Sequence, residues 1–268
     1  MKDTYISFVR SEDEQNRPNS EFHFLWDENF LHNPYLPTEP NTSTTQYMKV
    51  LIAGANGKVG TILSGKLWSA HGFSPVGLIR DSRQQMKFTG LGVPAVTGDL
   101  EQGVGKYLSG LDAVVFTAGS GGHTGPEKTL DVDQNGAIRL IKDCVTNGVG
   151  RFVMVSAIGA DPNSESTRIQ HYLRAKGVAD GYLRASGLDY TILAPGTLLD
   201  EPGTGRIQVS EELGFHGFLP REDLATCIIE TLRNVYTIGK TIEIVSGSDK
   251  IKDAMVKVAG GGDLPPIA

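Results

Sequence analysis

Cysteine is almost absent from this chain, and the two that occur, Cys144 and Cys227, stand far apart. They form neither a CxxC pair nor a disulfide framework, so both read as buried small hydrophobes in a reducing compartment. Long apolar runs are missing as well. None approaches the roughly 20 residues needed to span a bilayer, and the first residues lack the basic start and apolar stretch of a signal peptide, so a cytoplasmic protein with no membrane partner is expected. Positive charge is in deficit, with a formal net charge of −6. A surface built to hold phosphate backbones concentrates Lys and Arg, which argues against nucleic acid as a partner. The histidines are scattered, none in HExxH or similar ligand spacing, and no metal site is expected.

What is present suits one globular core, since 39% of the 268 residues are hydrophobic and 21% charged. Residues 1–47 read differently from the rest. They are rich in Asn, Pro, Glu, Ser and Thr and end in an aperiodic stretch, 36–45, which predicts a poorly ordered extension. Its aromatics, Phe22, Phe24, Trp26, Phe30 and Tyr35, leave docking on a surface as the alternative, and Met48 is an alternative start. The segment 48–268 is then the folded domain.

From Met48 onward, short apolar runs alternate with helical patterns, the signature of βαβ units around a parallel sheet. Strands are predicted over 48–53, 74–80, 94–97, 113–117, 152–156, 189–194 and 241–245, and helices over 59–70, 129–145, 169–186 and 223–233. The strand runs are nearly continuous in Val, Ile and Leu, as a sheet covered on both faces requires. The expected fold is therefore α/β: a Rossmann, doubly wound parallel sheet with a small C-terminal substrate region. Residues 198–217, with Asp200, Glu201, Gly203 and Gly205, read either as a mobile loop over the substrate or as a plain surface excursion.

Gly54-Ala55-Asn56-Gly57-Lys58-Val59-Gly60 lies between the first strand and the first helix. Gly54 permits a tight turn, Gly57 lets a pyrophosphate approach the backbone, and Gly60 allows close helix-to-strand packing at a helix N-terminus rich in N–H donors. A nicotinamide dinucleotide is the expected cofactor. The second strand ends in Arg80, where an NAD-selective fold usually places an acid for the ribose hydroxyls. Arg80, helped by Arg83, could pair with a ribose phosphate, so NADP is expected over NAD, although Asp81 leaves room for NAD. Asp99 and Leu100 after the third strand, and Thr117-Ala118-Gly119-Ser120-Gly121-Gly122 after the fourth, fall where the cofactor should pass.

Ser156 ends the fifth strand, and Tyr172 and Lys176 follow one helical turn apart. That spacing puts phenol and ammonium on one face, where the cation can favour tyrosinate. Tyr172 is then the expected proton donor in carbonyl reduction or base in alcohol oxidation, with Lys176 also holding the nicotinamide ribose and Ser156 a weaker third member.

These residues, together with the stretch 153–160, the stretch 186–196 ending Ala194-Pro195-Gly196, and the stretch 220–225, resemble an atypical short-chain dehydrogenase/reductase from Met48 nearly to the C-terminus. The resemblance implies an NADP-bound Rossmann fold and a Ser/Tyr/Lys set, with Pro195, Gly196 and Thr197 walling the nicotinamide. In the family the catalytic hydroxyl often lies a position or two beyond Ser156, where this chain has Ala157 and Ile158. Many relatives also carry Arg where this chain has Ala194. The function expected is NADP-dependent oxidoreduction of a small carbonyl, quinone or flavin-like substrate. The alternatives are a non-catalytic NAD(P)-binding redox sensor or, with a segment after Gly196 that is short for it, a sugar-nucleotide epimerase or dehydratase. Oligomeric state is left open.

Overall fold

The computed structural model describes residues 47–121, 125–166 and 169–260. The expectations for residues 1–46, Gly122 and His123 lie outside them. Strand β1 (Met48–Ala53) enters the core directly, its last four residues all buried. A βα alternation follows: α1 (Lys58–Ser69), β2 (Phe73–Ile79), α2 (Gln85–Leu91), β3 (Ala95–Thr97) and β4 (Ala113–Phe116). Next come α3 (Pro126–Thr129), a π-helical turn (Leu130–Gly136), α4 (Ala137–Asn147), β5 (Arg151–Val155), α5 (Gln170–Arg184) and β6 (Asp189–Pro195). The remainder is β7 (Thr197–Leu199), β8 (Arg206–Ser210), β9 (Phe218–Pro220), α6 (Arg221–Arg233), β10 (Lys240–Ser246), β11 (Asp249–Lys250) and α7 (Ile251–Val258).

Nine strands form one sheet in the order β11-β8-β10-β6-β5-β4-β1-β2-β3. Seven of them, from β3 to β10, run parallel, and β8 and β11 close the far edge antiparallel. The order reverses between β1 and β4, the crevice where open α/β sheets receive ligands outside the carboxyl ends of their strands. Because both faces are covered, strand residues feed two separate cores. Val50, Ile52 and Val115 pack under Leu63, Leu67, Phe88, Leu224 and Ile228 on one side, and Leu51, Ala53 and Val114 pack under Leu140, Ile141, Ala179 and Leu183 on the other. Both cysteines are free and buried, and burial pushes the Cys144 thiol up to about 12. Among the described residues no helix is long and apolar enough to cross a membrane.

The strands expected from sequence are present to within a residue or so, and the doubly wound fold stands. The region 198–217 departs from both readings given to it. It contains β7, which pairs in parallel with β9, and β8, which joins the main sheet through β10. The turn before β8 is pinned from α6: the buried Asp223 carboxylate accepts from Thr204 N at 2.8 Å and Gly205 N at 2.9 Å, and Glu222 accepts from Gly203 N at 3.0 Å. Asp200 pairs with both Lys58 and Arg221.

Candidate active site

The turn after β1 is shaped by what its glycines exclude. A Cβ on Gly54, whose φ is +85°, would lie 2.5 Å from the Ala118 backbone, and one on Gly60 would lie 2.3 Å from the Gly54 carbonyl. The turn is thereby pressed against the end of β4 and α1 against the turn. Thr117 reinforces the junction, its hydroxyl donating to Ala53 O at 3.0 Å. Ala55, Val59 and Gly60 are buried and serve packing, while Asn56 is half-buried and Gly57 and Lys58 are exposed at the rim. No side chain caps the N-terminus of α1 and no acid stands in its first turn. The backbone N–H groups and the positive end of the helix dipole are thus left for an anion, which fits a pyrophosphate.

At the end of β2 two of the charged residues pair with each other. The Arg83 guanidinium forks onto the Asp81 carboxylate, which also accepts from Arg83 N at 2.9 Å. The Arg83 hydrogen bonds hold the Asp81 carboxyl down at about 2. Arg83 thus has a counter-ion in Asp81, which also caps the short helical turn that follows. Arg80 makes no ion pair among the described residues. Asp99 accepts from Glu101 N at 2.9 Å and Leu100 packs against the second core.

The catalytic candidates converge around one buried ammonium. Gly177 lets α5 press against the loop after β5, since a Cβ there would fall 2.4 Å from the Asp161 carbonyl carbon. The neighbouring Lys176, 2% exposed, donates to Val155 O at 3.1 Å and lies 3.3 Å from Asp133 Oδ1. Its Nζ also sits 5.3 Å from the Phe116 ring centre and 5.8 Å from that of Tyr172. Asp133 is delivered by the π-helical turn, the kind of local widening that often marks functional sites. Its Oδ2 accepts from Ser120 N at 2.9 Å, and its Oδ1 lies 3.3 Å from where a Gly119 Cβ would be. The glycine-rich loop after β4 is therefore wired through Asp133 to Lys176.

Protonation runs against one expectation. Burial pushes the Tyr172 phenol above its ordinary value; Lys176 pulls it down, but Asp133 and Asp180 push it up again, and the net direction is upward. Burial opposes charge on Lys176, yet Tyr172, Asp133 and Asp180 together raise it. For Tyr172 the direction is opposite to the lowering that the helical spacing suggested. Among the described residues the Tyr172 hydroxyl has no hydrogen-bond partner.

Ser156 is engaged within the protein. It is 2% exposed, and its hydroxyl donates to Asp180 Oδ2 at 2.5 Å. Asp180 is a further residue that the sequence reading missed, although Tyr172, Lys176 and Asp180 recur at every fourth position of α5 and so share a face. The Lys176 ammonium is held by Val155 and Asp133.

The third wall is the segment after β6. Pro195 O accepts from Ile158 N at 3.1 Å, Gly196 N donates to Ile244 O at 2.9 Å, and Thr197 N donates to Gly217 O at 2.9 Å. Pro195 and Gly196 are buried and Thr197 is exposed, with Phe218, 60% exposed, beside it in the β7–β9 register. A hollow of about 590 Å³ lined by Tyr47, Lys49, Trp68 and Phe73 lies at the amino end of the strands, away from all of these groups. The carboxyl end is where chemistry-bearing residues converge.

Comparison with known proteins agrees with this geometry. The NAD(P)H-binding family matches residues 54–235. The chain is 37% identical over 215 residues to the Bacillus subtilis protein named uncharacterized sugar epimerase YhfK, covering 79% of this chain and all of that one. Among solved structures, a Bacillus halodurans protein assigned provisionally to the NAD-dependent epimerases/dehydratases superposes with a TM-score of 0.74 at 39% identity, covering 78% of this chain and 99% of that one. The oxidoreductase ylbE of Lactococcus lactis superposes with a TM-score of 0.69 at 30% identity, covering 81% and 100%.

Proposed function

Because the chain belongs to the NAD(P)H-binding family, we propose that it is an NADP-dependent reductase of a small carbonyl, quinone or flavin-like acceptor in which Tyr172 gives the proton. The observation that carries the reading is geometric: the Tyr172 ring centre lies 5.8 Å from the buried Lys176 ammonium, which has Asp133 at 3.3 Å, and among the described residues the phenol hydroxyl has no hydrogen-bond partner. A neutral phenol is a proton donor. A nicotinamide cofactor, when bound, would supply the hydride. The residues of the chain would do the rest: Gly54, Gly57 and the α1 N-terminus would hold the pyrophosphate, Arg80 the adenosine ribose, and Pro195 to Thr197 would wall the nicotinamide side. As negative charge develops on the acceptor, Tyr172 releases its proton, and the Lys176 ammonium beneath the ring stabilises the phenolate left behind.

The aromatic Phe218 next to Thr197 suits a flat conjugated acceptor. An epimerase reading, raised by the name of the Bacillus subtilis relative, has less support, because the described residues between Gly196 and Arg221 are taken up by β7, β8 and β9 and add no separate lobe for a nucleoside-diphosphate sugar.

The test is NADPH oxidation against a panel of quinones, flavins and small aldehydes, with wild type beside Tyr172→Phe. The variant is expected to lose on the order of 10²- to 10⁴-fold in turnover, the usual contribution of a positioned acid, with NADPH affinity within about twofold of wild type. Equal turnover in the two proteins would remove Tyr172 from the mechanism. Tight nucleotide binding with no turnover on any acceptor would favour the redox-sensor reading.

A further inference from the structure

Lys87 belongs to none of the motifs above, yet its position is closely determined. It lies on α2 next to Phe88, which is fully buried and anchors the short helix. Gly77 makes room for that anchor: a Cβ there would sit 2.9 Å from Phe88 Cε1 and 3.1 Å from Ala55 Cβ. The glycine in β2 thus lets α2 settle against the nucleotide turn and brings Lys87 to its rim. There the exposed ammonium donates to Asn56 O at 3.2 Å, Asn56 Oδ1 at 3.1 Å and Thr61 Oγ1 at 2.6 Å. Thr61 passes the contact on, donating to Gly57 O at 2.8 Å.

All three acceptors are neutral. Among the described residues no carboxylate pairs with Lys87, in contrast to Arg83, whose charge Asp81 cancels. A lysine that merely tied α2 to the turn would do so equally well with an acid beside it. Instead an uncancelled positive charge stands at the rim of the turn, with Arg80, also without an ion pair, at the end of the adjoining strand. The bond to Asn56 Oδ1 has a second effect: it leaves the amide nitrogen of Asn56 as the free, donating end of that side chain.

We propose that Lys87 is a specificity-determining residue, acting with Arg80 as the second cation of a subsite for the 2′-phosphate of NADP(H) and holding Asn56 as a donor there. The inference rests on the NADP reading given above. A ribose hydroxyl draws little from two cations, whereas a phosphate dianion gains from both, so Lys87 acts on the ratio of NADPH to NADH affinity and not on nucleotide affinity in general.

Fluorescence titration of NADPH and NADH into wild type, Lys87→Gln and Lys87→Arg is the test, with adenosine 2′,5′-bisphosphate as competitor. Wild type is expected to prefer NADPH. Lys87→Gln should lose at least tenfold in NADPH affinity, about 1.4 kcal/mol, with NADH changed less than twofold and the bisphosphate competing correspondingly worse. Lys87→Arg should retain most of the preference. If wild type prefers NADPH but Lys87→Gln leaves the ratio unchanged, or weakens both nucleotides in parallel, Lys87 is a structural tie and the inference falls while the NADP reading stands. If wild type shows no preference, the NADP reading falls and the inference with it.

Discussion

Asp133 Oδ1 lies 3.3 Å from Lys176 Nζ, and the two side chains are 0% and 3% exposed. Oδ1 receives no well-aligned hydrogen bond, so the pair is held by charge, while Oδ2 is fixed by Ser120 N. Removing one member of such a pair leaves the other buried without a counter-ion. Asp133→Ala is therefore expected to lower unfolding stability by about 3–5 kcal/mol, read by urea denaturation. Asp133→Asn keeps an acceptor for Ser120 and should be milder. It also removes a carboxylate that favours the protonated phenol, so the Tyr172 titration, identified by its absence in Tyr172→Phe, should move to lower pH. A phenol titration that stays in place or rises would show that Asp133 does not act on Tyr172.

That relationship also marks where the sequence stopped being legible. Strands β1, β4, β5 and β6 were readable because burial on both faces demands continuous apolar runs, and Gly54, Gly57 and Gly60 because their spacing falls between a strand and a helix. Asp133 was hidden in a stretch that reads as ordinary helix, since the π-helical turn has no pattern of its own. Ser156 was visible as a strand-end hydroxyl, but its partner Asp180 comes from another element. Strand β8 was missed because Arg206–Ser210 is short and largely exposed or half-buried, with only Ile207 fully buried. Helix α2 rests on one buried anchor, Phe88, too little for a periodic signal.

Two glycines of α1 should respond with opposite signs. Gly60→Ala would drive a Cβ to 2.3 Å from the Gly54 carbonyl and 2.7 Å from Ala55 Cα, backbone atoms that cannot yield without opening the turn. A loss of about 1–3 kcal/mol or more is expected, together with weakened nucleotide binding. Gly65→Ala meets nothing within 4 Å and should gain up to about 1 kcal/mol from helix propensity alone. Thermal melts with and without NADPH measure both. A Gly60→Ala protein that melts and binds like wild type would contradict the packing of this turn.

Asp180 makes a pH-dependent prediction whose sign is opposite to that of most acids. Burial raises its carboxyl above the ordinary value, against the Ser156 hydrogen bond and the Lys176 and Arg184 charges that lower it. The folded state therefore holds this proton more tightly than the unfolded chain does. The contribution to stability is complete below the ordinary carboxylate range, where both states are protonated, and declines as pH rises through the raised folded value. Asp180→Asn does not titrate and keeps an acceptor for Ser156. The melting temperature of Asp180→Asn minus that of wild type should become more positive between pH 4 and pH 7.5; a difference that shrinks with rising pH would mean that the carboxylate is stabilised in the fold.

Asp223, 2% exposed, ties three donors of the segment leading into β8: Thr204 N at 2.8 Å, Gly205 N at 2.9 Å and the Thr204 hydroxyl at 3.1 Å. Asp223→Ala removes the acceptor and leaves those N–H groups to find water, which they can do only if the segment lifts from α6. The expected stability loss is about 1–3 kcal/mol. Hydrogen exchange at Gly203, Thr204 and Gly205 should quicken at least tenfold while β1, β4 and β5 keep their protection. Because the same segment carries Asp200, which pairs with Lys58 at the start of α1, loosening it should also free Lys58 and change NADPH affinity measurably. If exchange quickens while affinity stays constant, the loop and the nucleotide turn are mechanically independent, and the exposed Lys58–Asp200 pair has no consequence for binding.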